Sequence, residues 1–115
     1  MLTSKEKAIE IAKILDSKKG EDIEVLEIKD LTPMCDYFII CTGGSSLHIK
    51  ALCDNVEEQM KQHGITPLHN EGVASAAWLL MDYGDVVVHI FDHESASFYN
   101  LERLWADAPK LDIQF

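Results

Sequence analysis

The chain has 115 residues, 47% of them apolar and 26% charged, and at roughly 100–200 residues per domain it reads as a single domain over residues 1–115. That balance excludes a disordered chain, and no apolar run approaches the ~20 residues of a membrane span. Ten Lys+Arg against 20 Asp+Glu give a net charge of −10, which repels nucleic-acid backbone and favours a basic protein surface as partner.

The first element is a helix: Thr3 and Glu6 have capping-box spacing, and Ala8, Ile11, Ala12 and Leu15 recur at helical intervals. Ile23 to Ile28 is β-branched but interrupted by Glu24 and Glu27, which predicts an edge or half-exposed strand. After a turn at Pro33, the continuous apolar run Tyr37-Phe38-Ile39-Ile40-Cys41 is the central-strand candidate. Gly43-Gly44-Ser45-Ser46 breaks it and opens a helix whose apolar positions Ile49, Leu52, Cys53, Val56 and Met60 form one stripe, closed by Gly64. A connector or edge strand, Ile65 to Gly72, leads to two β-rich runs, Trp78 to Asp82 and Val86 to Phe91, joined as a hairpin by Tyr83-Gly84-Asp85. Phe98, Leu101, Leu104 and Trp105 predict a closing helix over Ser95 to Trp105, stopped by Pro109. The order α, β, β, α, β, β, β, α predicts an α/β fold, a mixed β-sheet covered by helices.

Chemistry finds few footholds in this chain. The Gly-Ser loop between a buried strand and a helix start has the setting of a phosphate cradle, but it lacks the Lys of a Walker loop and the third glycine of a dinucleotide fingerprint. A plain strand-to-helix turn is the simpler reading. A Gly-Ser loop opening a helix is also similar to the nucleotidyltransferase fold, yet no paired carboxylates follow at strand spacing. Asp85 and His89 share a strand face but lie ~13 Å apart at ~3.3 Å per residue, which argues against a shared metal ion. Asp82 and Asp85 suit turn formation, and His89 suits a hydrogen-bonded core position. Cys35, Cys41 and Cys53 form no Cys-x-x-Cys pair, so they read as free thiols of a reducing, cytoplasmic setting in a chain without a targeting segment. No catalytic thiol, metal or cofactor is expected. Trp78 and Tyr83 on the hairpin are the aromatics best placed to anchor a protein contact.

Longer runs carry a resemblance. Glu71-Gly72 with Trp78-Leu79-Leu80-Met81-Asp82-Tyr83-Gly84-Asp85-Val86-Val87-Val88-His89-Ile90-Phe91 resembles the signature of the ribosomal silencing factor (Iojap) family. Asp36-Tyr37-Phe38-Ile39-Ile40-Cys41-Thr42-Gly43 with Lys50-Ala51 resembles the family's central strand and helix, and Phe98-Tyr99-Asn100-Leu101-Glu102-Arg103-Leu104-Trp105-Ala106-Asp107-Ala108-Pro109 its closing motif. The resemblance implies a nucleotidyltransferase-like fold without the catalytic carboxylates and a non-enzymatic factor. Its partner would be the large ribosomal subunit, bound through the fourteenth ribosomal protein, and the bound factor would block small-subunit joining and repress translation. Neither a membrane nor a specific nucleic-acid sequence is expected as a partner; a homodimer of the free protein is the second partner to consider. Within the matched runs, Glu71, Trp78, Leu80, Asp82, Tyr83, Asp85 and His89 are the candidate contacts, with the two aspartates meeting Lys or Arg and Trp78 or Tyr83 as anchor. The enzyme alternative is a metal-dependent nucleotidyltransferase.

Overall fold

A computed structural model describes residues 2–31, 33, 35–72, 78–92, 108–111 and 113. Two helices and five strands follow in the order α1 (Ser4–Ser17), β1 (Glu21–Glu27), β2 (Tyr37–Gly43), α2 (Ser46–Gln62), β3 (His69–Glu71), β4 (Trp78–Asp82) and β5 (Val86–Asp92). The strands form one sheet in the order β1-β2-β5-β4-β3. β2 and β5 run parallel at its centre, and every other pairing is antiparallel, so the mixed sheet expected from the element order is what forms. The expected closing helix over Ser95 to Trp105 lies outside the described residues.

Local chemistry sets the element ends. Thr3 Oγ1 accepts from the Glu6 N–H at 3.1 Å while Glu6 Oε1 accepts from the Thr3 N–H at 3.0 Å, a reciprocal cap that starts α1. That bonding to Thr3 holds the Glu6 carboxyl below its ordinary value. Ser45 caps α2 by accepting from the His48 N–H at 3.1 Å. Gly64, one residue past the last turn of α2, takes a left-handed φ of 75° and releases the chain toward β3.

Both helices lie on the same side of the sheet. Ile11 and Leu15 of α1 and Ile49, Leu52, Val56 and Met60 of α2 close over Val25, Ile39, Leu79, Met81, Val88 and Ile90, all buried. Strand alternation sends the intervening residues to the far face. There a second cluster gathers Leu26, Ile28, Cys35, Ile40, Phe91 and Ala108, with Phe38, Trp78 and Val87 half-buried beside it. The β1 edge does not stand open: the Glu27 N–H donates to the Pro109 carbonyl, the Leu111 N–H donates to the Val25 carbonyl, and Lys110 bridges to Leu26. Among the described residues the cover comes from Pro109 to Leu111, at and just past the predicted helix stop, and periodicity gave no hint of it.

Candidate functional site: the far face of the sheet

Register places the candidate residues. Glu71 of β3 pairs with Leu80 of β4, Leu80 pairs with His89 of β5, and His89 pairs with Ile40 of β2, making one row across the far face. A second row joins Trp78 to Phe91 and Thr42, and a third joins His69, Asp82, Val87 and Phe38. Five of the seven candidates, Glu71, Trp78, Leu80, Asp82 and His89, therefore share a face, and Glu71 stands exposed at its rim while Trp78, Leu80 and Asp82 are half-buried.

Trp78 sits at the centre of the aromatic packing. Its ring stacks on Phe91 at 5.5 Å between centroids and lies 6.0 Å from His89, and Phe38 meets His89 edge-on at 4.9 Å. The indole Nε1–H donates to His89 Nδ1 at 3.2 Å. Because an indole nitrogen only donates, Nδ1 must accept, and the imidazole is neutral with its proton on Nε2. His89 is 5% exposed, and burial pushes it down to about 4, which keeps it neutral at any ordinary pH. Its Nε2 is buried with no hydrogen-bond partner among the described residues.

Beside the indole, Glu71, Gly72, Trp78 and Leu80 line a groove of about 210 Å³. Gly72 permits it: φ there is 80°, and a Cβ would fall 1.9 Å from the Trp78 carbonyl oxygen. Glu71 Oε1 lies 2.7 Å from His69 Nε2, so the rim carries a carboxylate and an imidazole side by side.

Two candidates lie off that face: Tyr83 is buried, which corrects its reading as an exposed anchor, and Asp85 stands in the turn with its side chain 39% exposed. Tyr83 is 5% exposed and belongs to the helix-side core, where burial raises its phenol further above the ordinary value than the nearby Glu57 and Cys53 do. Asp85 in the turn accepts from Lys7 Nζ of α1 at 2.6 Å, and its carbonyl takes the Asp36 and Tyr37 N–H groups at the start of β2. Asp82 remains on the far face, but its Oδ1 accepts from the Gly84 N–H at 2.7 Å, the turn-forming role its spacing suggested. Phe38 and Phe91 were not singled out from sequence as site residues; the alternation Val87, His89, Phe91 places His89 and Phe91 on one face and was the signal available.

The Gly-Ser loop is internally bonded. The Gly44 N–H donates to His48 Nδ1 at 3.0 Å, and His48 Nε2 reaches the Lys18 carbonyl at 2.9 Å, so the loop ties α2 to the end of α1. One group of side chains among the described residues has metal-ligand proximity: Cys53, Asp54 and Glu57 of α2, with ligand atoms within 4.8 Å of one another. Burial, then the Asp54 and Glu57 charges, push the Cys53 thiol up to about 12, away from the thiolate a metal takes. Burial likewise lifts Cys35 to about 11 and Cys41 to about 12, so all three free cysteines are protonated and inert near neutral pH.

Against known proteins, the model of the family described as ribosomal silencing factor during starvation matches residues 1–115. The chain belongs to this family. The ribosomal silencing factor of Bacillus subtilis is 42% identical over 100 residues, which cover 87% of this chain and 85% of that protein. A crystal structure of a Chromobacterium violaceum protein superposes with a TM-score of 0.89 at 32% identity, covering 99% of this chain and 94% of that one. A Bacillus halodurans structure follows at a TM-score of 0.80 and 34% identity, with 91% and 96% covered. The family's description names a regulatory role, silencing, and a ribosomal target. Among the described residues no helix is long and apolar enough to cross a membrane.

Proposed function

We propose that this protein is a cytoplasmic, non-enzymatic silencing factor that docks its far face on a basic protein of the large ribosomal subunit, the fourteenth, and thereby denies the small subunit its joining surface. The observation that carries the reading is the half-buried Trp78 beside a groove with Glu71 at its lip, on a chain of net charge −10. An aromatic anchor with a carboxylate at its lip is the complement of a Lys/Arg-rich protein surface, where desolvated contacts give affinity and opposite charges speed encounter. Trp78, Leu80 and Glu71 make the contacts. Asp82 contributes charge while holding its turn, His89 acts from beneath, and Tyr83 and Asp85 keep the hairpin in place.

The activity needs occupancy and no reaction. A footprint of ~800 Å² on one partner suffices for a stable complex, and a body of this size standing on a joining surface excludes a second particle by volume. The purified protein is expected to co-sediment with free large subunits and to lower the fraction of joined ribosomes. Trp78→Ala is expected to abolish most of both effects, since truncating an anchor of this kind costs at least ~2 kcal/mol. Joining at the normal level with saturating protein present would overturn the reading, and Mg²⁺-dependent nucleotide turnover would replace it with the nucleotidyltransferase alternative.

A further inference from the structure

We propose that His89 is a positioning residue: a neutral imidazole beneath the docking face that holds the Trp78 indole in its binding orientation by offering Nδ1 as a fixed acceptor. The inference rests on the docking role given to Trp78 above and adds what sets that side chain's rotamer.

A half-buried tryptophan on a sheet face has two soft side-chain torsions, and a mobile anchor loses entropy when a partner fixes it. Here both are constrained. Phe91, the cross-strand partner, stacks under the ring with an interplanar angle of 22°, and His89, on the neighbouring row, takes the indole N–H. Stacking fixes the plane and the hydrogen bond fixes the direction in which the nitrogen edge points. The imidazole is itself held, edge-on by Phe38 and in parallel with Phe91 at 6.2 Å and 9°.

His89 also shows the cost of that arrangement. Using Nδ1 as acceptor commits the proton to Nε2, which is buried without a hydrogen-bond partner among the described residues, a penalty an apolar residue would not carry. Leucine or phenylalanine would fill the same space between Ile40 and Leu80 with no orphaned donor. A histidine, like a short amide, presents an uncharged acceptor that neither leucine nor phenylalanine has. The unfavourable Nε2–H is thus explained by the service that Nδ1 performs.

The test uses the full chain labelled with ¹⁵N, in which the indole N–H of Trp78 is assigned by its loss in Trp78→Phe. In His89→Phe, the stacking surface stays and the acceptor goes. The Trp78 N–H resonance is expected to move upfield and exchange faster with solvent, and affinity for free large subunits to fall on the order of fivefold, the worth of about one net hydrogen bond. His89→Asn, whose side-chain oxygen stands near the Nδ1 position, is expected to restore the resonance and most of the affinity; His89→Leu repeats the loss if the phenylalanine variant does not fold. An indole resonance unmoved in both acceptor-free variants overturns the clamp. A moved resonance with wild-type affinity overturns its part in docking. Failure of the wild-type chain to bind subunits overturns the docking reading instead, and the resonance still decides whether Nδ1 holds the indole.

Discussion

The two faces of the sheet are built from alternate residues of the same strands and follow different rules. On the helix side, Val25, Ile39, Leu79, Met81, Val88 and Ile90 are aliphatic or thioether and at most 2% exposed, closed over by two helices. On the far side Leu26, Ile28 and Ile40 form an aliphatic patch toward β1, while toward β4 the face carries Phe38, Trp78, Asp82, His89 and Phe91, aromatic, charged or imidazole, beside Leu80. The first set spends its chemistry on stability. The second keeps a half-exposed aromatic strip, a feature that makes sense where a partner is to be met.

Adjacent residues on β4 give the sharpest way to break that contrast. Leu79→Ala removes a fully buried side chain from between sheet and helices, and it is expected to cost about 2–5 kcal/mol, read as a lower denaturant midpoint with an unchanged slope. Leu80→Ala, one residue on, is expected to cost under ~1 kcal/mol while weakening attachment to large subunits. If the two variants lost equal stability, or if Leu79→Ala alone impaired docking in folded protein, the division of labour between the faces would be wrong.

Part of this division is legible in the sequence. The stripe Ile49, Leu52, Cys53, Val56, Met60 has the helical period, so the core face of α2 could be assigned from spacing alone, whereas the hairpin strands are apolar at nearly every position and their two faces separate only in the folded sheet. Tyr83 shows where such reading slips. As a turn residue it looks exposed, yet it continues the odd-numbered series Leu79, Met81 and so falls on the helix side, where it is buried. The ion pair of Asp85 is hidden for a different reason. Its partner Lys7 lies 78 residues away, and no local pattern announces a contact that exists only after the sheet has formed. The cover of the β1 edge by Pro109 to Leu111 is likewise a short extended segment without periodicity of its own. The acceptor role of His89 needed the cross-strand offset from Trp78, which depends on a hairpin register the turn sequence only suggests.

Acid provides the next test of the far face. Burial drops His89 from an ordinary 6.5 to about 4, so between those values the unfolded chain binds a proton that the folded chain refuses. The stabilisation is complete above pH 6.5 and is lost as pH falls toward 4, to a total of about 3 kcal/mol. His69, Glu71 and Asp82 stand on the same face, so the measurement is a difference: the pH dependence of unfolding in the wild-type chain minus that in His89→Phe. A near-zero difference from pH 7 to 4 would mean that His89 is hydrated in solution, and the neutral-acceptor account would fall with it.

The smallest expected effect concerns the tie between the faces. Lys7 Nζ reaches from α1 to Asp85 Oδ1 in the hairpin turn at 2.6 Å, with the lysine side chain 13% exposed and the aspartate 39%. A pair this open on one side gains little from Coulomb attraction, so Asp85→Ala is expected to cost about 1 kcal/mol, less at high salt. Because the Asp85 main-chain carbonyl still takes the two N–H groups of β2, the turn should keep its place and docking should change less than twofold. Asp85→Lys is the more telling substitution, since it sets two ammonium groups against each other at the hairpin. Lost stability with docking retained in the folded fraction would assign Asp85 to the scaffold. A stable protein that no longer binds would return it to the contact surface beside Trp78.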